Sequence, residues 1–163
     1  SYSKTNRIDE AIKLQEEAKK ITEEAYLKDK NRWLEYYSRS LNNLAALYFD
    51  TDRIKEAIKL YEEAVYIVRE AYLKDKNRWL EDYSLSLNLL ALSYFDTNRI
   101  KEAIKLQENA KNITEEAYQN DKHRWLGCYS LSLYNLADFY SNLGKKDKAI
   151  TLLEKLQKIQ NNN

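Results

Sequence analysis

One 46-residue unit is written along this chain three times without a gap. From Arg7 the chain reads RIDEAIKLQEEAKKITEEAYLKDKNRWLEYYSRSLNNLAALYFDTD. From Arg53 it reads RIKEAIKLYEEAVYIVREAYLKDKNRWLEDYSLSLNLLALSYFDTN, and 34 of the 46 aligned positions are identical. A third copy starts at Arg99, and a truncated fourth, KKDKAITLLEKLQKIQ, starts at Lys145. A gapless period of this length implies one supersecondary unit per copy, each burying its apolar face on its neighbours.

The unit reads as two helices. The chain has no proline and only two glycines, Gly127 and Gly144, and is rich in strong helix formers. Asn6, Asp52, Asn98 and Gly144 precede the four repeat starts, and all are types expected to serve as N-caps. After them Ala11, Leu14, Ala18, Ile21 and Ala25 recur at offsets of 3 and 4, as do Ala57, Leu60, Ala64, Ile67 and Ala71. This spacing predicts one apolar stripe on helix B. The KDKN stretch reads as a polar turn, and helix A follows from about Arg32 to Phe49. The expected organisation is a single domain over 1–163, with a lone helix B at 5–28 and helix pairs at 31–74, 77–120 and 123–160. The fold class is all-α: a right-handed superhelical solenoid of antiparallel helix pairs, with seven helices.

At about 100° per residue, helix A separates into two faces. Trp33, Leu34, Tyr37, Leu41, Leu44, Ala45 and Tyr48 fall on one side, and each is unchanged in the other two copies. The positions that differ between copies, Glu35, Tyr36, Arg39, Asn42, Asn43, Ala46 and Leu47, fall opposite. The first face is expected to be packed and the second free to vary. On that phase Trp33, Trp79 and Trp125 are core residues rather than an exposed aromatic ladder.

Charged residues make up 33% of the chain, yet the net charge is only +1. Acidic and basic residues alternate, so no block advertises nucleic acid or an anionic membrane. No apolar run is long enough to span a bilayer, and no signal-peptide pattern opens the chain. The single cysteine, Cys128, fits a reducing, cytoplasmic compartment. The chain contains no methionine, which suggests a piece excised from a longer protein.

These copies resemble the tetratricopeptide (TPR) repeats. In LNNLAALYFDTDRIKEAIKLYEEA, Leu44, Ala45 and Tyr48 match that family's Leu-small-x-x-Tyr on helix A. Ala57, Tyr61 and Ala64 match its Ala-x-x-x-aromatic-x-x-Ala on helix B. The second copy carries Leu90, Ala91, Tyr94, Ala103 and Ala110, with Gln107 replacing the aromatic. The third carries Leu136, Ala137, Tyr140, Gly144 and Ala149. The unit exceeds the family's usual length of about 34 residues and lacks its proline. In this it is similar to kinesin-light-chain repeats and to the arrays attached to microbial signalling proteins. The resemblance implies a non-catalytic scaffold whose helix A face lines a concave surface.

On that surface Arg32, Arg78 and Arg124 are retained in the middle of the variable face. The plain reading is an i,i+3 ion pair, Arg32 to Glu35 and Arg78 to Glu81. The functional reading is a row of guanidiniums for partner carboxylates or phosphates. The remaining candidate partner-binding residues are Arg39, Asn42 and Asn43 in the first copy, then Leu85, Asn88, Leu89 and Leu92. Leu131, Tyr134, Asn135 and Asp138 complete the set in the third copy. Asn43 and Asn135 match the position where TPR proteins often bond a peptide's backbone. The leucines suggest an apolar partner segment.

Catalysis has little footing. His123 and Cys128 are unique and five residues apart on one helix, so they do not face each other. Neither metal ligands nor a cofactor-binding glycine loop are expected. The leading reading is a scaffold that binds a peptide or partner helix. The alternative is a structural, oligomerising spacer or sensor arm from a larger signalling protein, self-associating through its N-terminal helix. Nucleic-acid binding through Lys28, Lys30 and Arg32 is the weakest of the three.

Overall fold

The computed structural model describes residues 2–162 and contains seven α-helices and no strand among them. These are α1 (Tyr2–Lys28), α2 (Lys30–Asp50), α3 (Ile54–Lys74), α4 (Lys76–Asp96), α5 (Ile100–Asn120), α6 (Lys122–Asn142) and α7 (Lys146–Asn161). The chain divides into two compact units, Ser1–Asp82 and Tyr83–Asn163. In the first, α1 packs on α2 and α2 on α3; in the second, α5 packs on α6 and α6 on α7.

Two kinds of connection alternate. Asp29, Asp75 and Asp121 are each the only residue between helices, so the KDKN stretch is almost wholly helical rather than a four-residue turn. Each aspartate ends one helix by donating its backbone N–H to Ala25, Ala71 or Ala117. Its carboxylate then accepts the N–H of Arg32, Arg78 or Arg124 at 3.1–3.2 Å, capping the next helix.

The other connections correct the expected N-caps. Asp52, Asn98 and Gly144 adopt φ of 66°, 65° and 75°, the left-handed region. The residue after each donates back across the turn, Arg53 to Tyr48 O at 2.8 Å, Arg99 to Tyr94 O at 2.8 Å and Lys145 to Tyr140 O at 2.9 Å. This is the Schellman closure of the preceding helix. Asp, Asn and Gly stand there because they tolerate positive φ. The starts of α3, α5 and α7 have no side-chain cap hydrogen bond. Asn6 lies inside α1 and caps nothing.

The core of the first unit sets Leu34, Tyr37, Leu41, Leu44 and Tyr48 of α2 against Ala57, Tyr61, Ala64 and Val68 of α3. In the second unit Leu133, Leu136 and Phe139 of α6 are fully buried, with Ala103 and Ala110 of α5 and Ala149 of α7. Alanines at the crossings let the helix backbones approach closely. Trp79 and Trp125 are buried, as the phase of helix A predicts, whereas Trp33 is only half-buried. The helix B stripe behaves differently in α1. Leu14 and Ile21 are 65% and 66% exposed, whereas Ile67, at the register of Ile21, is 8% exposed. In α3 that face is packed; in α1 it is open to solvent.

Candidate functional site

Each expected site residue has a defined place. In the first unit, Arg32, Arg39, Asn43 and Arg78 are exposed and Asn42 is half-buried. The i,i+3 pair expected between Arg32 and Glu35 is replaced. Glu35 bonds Arg39 at 2.8 Å, because i,i+4 brings these two onto one ridge. Arg32, Arg78 and Arg124 instead lie over the ring of the following tryptophan, at 5.6, 4.9 and 4.4 Å from its centre. This cation–π seat orients the guanidinium along the helix start and leaves it exposed.

The second unit brings seven expected residues together on two neighbouring helices. Gln107 of α5 bonds Asn88 of α4 at 2.8 Å and reaches the Ser132 carbonyl of α6 at 3.5 Å. Phe95 of α4 stacks on Phe139 of α6 with ring centres 4.4 Å apart. On this paired surface Leu85 and Leu92 of α4 are 48% and 39% exposed, and Leu131 and Tyr134 of α6 are 48% and 57% exposed. Leu89 and Asn135 are half-buried beside them, and Asp138 is exposed. The i, i+3, i+4, i+7 spacing within each set puts it on one helical face. Four large apolar side chains, two on each helix, are thus left open to solvent.

Asn88 departs from expectation. It is only 5% exposed, and its Oδ1 accepts from Gln107 rather than facing solvent. Its counterpart Asn42 has a buried Oδ1 with no partner. Gln107 itself was not among the expected site residues, although its replacement of the repeat's aromatic was the visible signal.

Around the sites, tyrosines anchor glutamates. Tyr48 donates to Glu16 at 2.6 Å and Tyr140 to Glu108 at 2.9 Å. Burial first, then these bonds, pushes both phenols up to about 12. Arg53 lies 3.8 Å over the Tyr48 ring and Lys148 lies 5.1 Å over Tyr140. Half-buried Asp82 has its carboxyl raised above the ordinary range, by burial and then by Glu35 and Glu81. A hollow of about 200 Å³ also opens in the first unit, between Tyr26, Leu34 and Tyr66, with Lys30, Glu70 and Lys74 at its edge. Sequence reasoning gave no sign of it, because its walls come from three helices.

His123 is exposed and Cys128 is half-buried and not in a disulfide. Among the described residues no three His, Cys, Asp or Glu side chains are grouped to hold a metal ion. No helix among them is long and apolar enough to cross a membrane.

Tetratricopeptide repeat models match residues 38–75 and 85–124, and a second such model matches residues 131–163. BtubC (BKLC) from P. vanneervenii is similar in structure with a TM-score of 0.75 and 19% identity, over 93% of this chain and 56% of that one. The chain therefore spans little more than half that protein's length. The kinesin light chain nearly identical TPR-like repeats from Podosopora anserina align at a TM-score of 0.49 and 22% identity. That alignment covers 98% of this chain and 90% of theirs. No curated protein sequence matches the chain. At this identity the likeness to BtubC is one of fold: an all-α array of helix pairs.

Proposed function

Because the chain belongs to the tetratricopeptide repeat family, whose repeats mediate protein–protein interaction, we propose that it is a non-catalytic interaction scaffold. Its principal contact surface is the α4–α6 face of the second unit, and its partner is a polypeptide segment carrying apolar side chains. The observation that carries this reading is the exposure of Leu85, Leu92, Leu131 and Tyr134 together on adjacent helices. Asp138, exposed at the end of the α6 set, favours a partner with a basic residue beside its apolar ones. In the first unit, exposed Arg32, Arg39 and Asn43 form a separate polar surface suited to carboxylates and backbone amides. A single cysteine, Cys128, agrees with a reducing, cytoplasmic setting.

The test is selection of random linear peptides on the wild-type chain, followed by binding to a Leu85→Asp, Leu131→Asp variant. Both residues are exposed, so the melting temperature should stay within about 2 °C of wild type. Selected peptides should lose most of their affinity for the variant. Peptides that bind both proteins equally would place recognition elsewhere.

A second reading, self-association through α1, is supported by the exposure of Leu14 and Ile21 on that helix. Sedimentation over a concentration series should then show reversible dimers, which Ile21→Asp removes. A chain that remains monomeric at high concentration rules this reading out.

A further inference from the structure

The hollow in the first unit is walled by residues that the proposed partner surface does not use. Its floor is apolar: Leu34 of α2 and Ile67 of α3 line it and are 4% and 8% exposed. Tyr26 of α1 forms one wall. Its ring packs on that of buried Tyr37, with centres 5.0 Å apart, and the Tyr37 hydroxyl donates to Glu63. Tyr37 thus braces that wall from behind. Tyr66 of α3 also lines the hollow, yet it is 66% exposed. Two flat aromatic side chains above an apolar floor suit a flat apolar body that buries its faces against them.

The rim carries charge. Lys30 of α2 and Lys74 of α3 line the hollow and are exposed, with Glu70 as the carboxylate beside them. Two ammonium groups against one carboxylate leave the rim net positive. Among the described residues no ion pair engages either lysine. The Lys30 Nζ lies 5.9 Å from the centre of the Tyr26 ring, over the wall itself. The tyrosine and lysine of α3 also set this copy apart. At the registers of Tyr66 and Lys74, α1 carries Lys20 and Lys28 and α5 carries Asn112 and Asn120.

Size narrows the occupant. The hollow holds about 200 Å³. A closed cavity of about 150 Å³ accepts benzene, whereas drug-sized ligands fill about 300–1,000 Å³. A helix, about 10 Å across with its side chains, does not enter. We propose that this hollow is a binding site for a small planar aromatic carboxylate of one or two rings. The rings lie on Leu34 and Ile67 between the two tyrosines, and the carboxylate meets the Lys30 and Lys74 ammonium groups at the rim. Glu70 disfavours a second negative charge on the ligand.

The test uses the full chain and 2-naphthoate as the probe, titrated by amide chemical-shift changes. The binding efficiency of small ligands puts Kd at about 1 mM or tighter. The shifts should centre on Tyr26, Leu34, Tyr66 and Ile67. Uncharged 2-naphthamide, of the same shape, should bind about three- to tenfold more weakly. The Lys30→Gln, Lys74→Gln variant should lose a similar factor for 2-naphthoate and none for the amide. Tyr66→Asn, which installs the α5 residue at an exposed position, should weaken both probes about tenfold. The comparison of acid with amide leaves the protein untouched, so it decides the matter even if a variant folds poorly. Absence of saturable shifts up to about 10 mM probe, shifts centred on other residues, or equal affinity for acid and amide overturns the inference. Binding of N-acetyltryptophanamide as tight as that of 2-naphthoate overturns it too, and makes the hollow a seat for a partner's aromatic side chain.

Discussion

The turn residues offer a sharp test of how the helices are joined, because two accounts predict opposite signs. Asn98 has φ of 65°, and the N–H groups of Asn98 and Arg99 close the end of α4. A left-handed conformation costs an ordinary L-residue about 1–2 kcal/mol, less for asparagine. Glycine adopts it freely but gives back about 0.5–1 kcal/mol through its greater freedom in the unfolded chain. Asn98→Gly should therefore stabilise slightly, by about 0.5 kcal/mol, and Asn98→Ala should destabilise by about 1 kcal/mol. For a chain of this size 1 kcal/mol moves the midpoint by about 2–4 °C. Glycine should raise it by about 1–2 °C and alanine should lower it by about 2–4 °C, followed by circular dichroism on heating. Gly144→Ala, at φ of 75°, should fall at least as far as Asn98→Ala. Were Asn98 an N-cap of α5, glycine would cost a few tenths of a kcal/mol. A lower midpoint for Asn98→Gly would refute the left-handed closure.

Other consequences can be measured on the same protein. Tyr48 and Tyr140, held at about 12 against an ordinary 10.0, contribute stability that is complete below pH 10 and lost as pH rises through 12. Tyr48→Phe should cost about 0.5–1.5 kcal/mol at neutral pH and flatten the alkaline loss of stability in urea titrations; an unchanged alkaline slope would contradict this. Asp82 has a raised carboxyl, so its contribution is present below the unfolded carboxylate range and lost as pH rises through its folded value. Asp82→Asn should then raise the melting temperature at pH 7, with the gain shrinking below about pH 4. Ala103, fully buried at a helix crossing, has no room for a larger side chain. Ala103→Leu should cost about 1–3 kcal/mol in chemical denaturation.

The repeat made much of this legible before any coordinates. A period of 46 residues, two helical patterns per copy and the invariant Leu, Ala and Tyr positions led to seven helices and a core of the expected residues. The joints were harder. Asp, Asn and Gly favour both an N-cap and a left-handed closure, and only φ separates the two. The aspartate of KDKN, read as loop, is a single residue that serves both helices it joins. The stripe on α1 has the composition of a packed face, yet exposure depends on a neighbouring helix that composition cannot report. Asn88 illustrates the same limit. Its bonding partner lies 19 residues away on α5, so spacing along α4 counted it as a surface residue. The leucine face was legible because its residues share one helical phase, and their exposure follows from that phase.

The central claim is that the α4–α6 face of the second unit receives the partner. The most direct measurement is residue-by-residue mapping of a selected linear peptide, by amide chemical-shift changes in the isotopically labelled chain. The account predicts the largest changes at Leu85, Leu89, Leu92, Leu131 and Tyr134, with a weaker echo at Gln107 beneath them. Changes concentrated on α1, or on the outer surfaces of α3 and α5, with the α4–α6 residues unmoved, would contradict it.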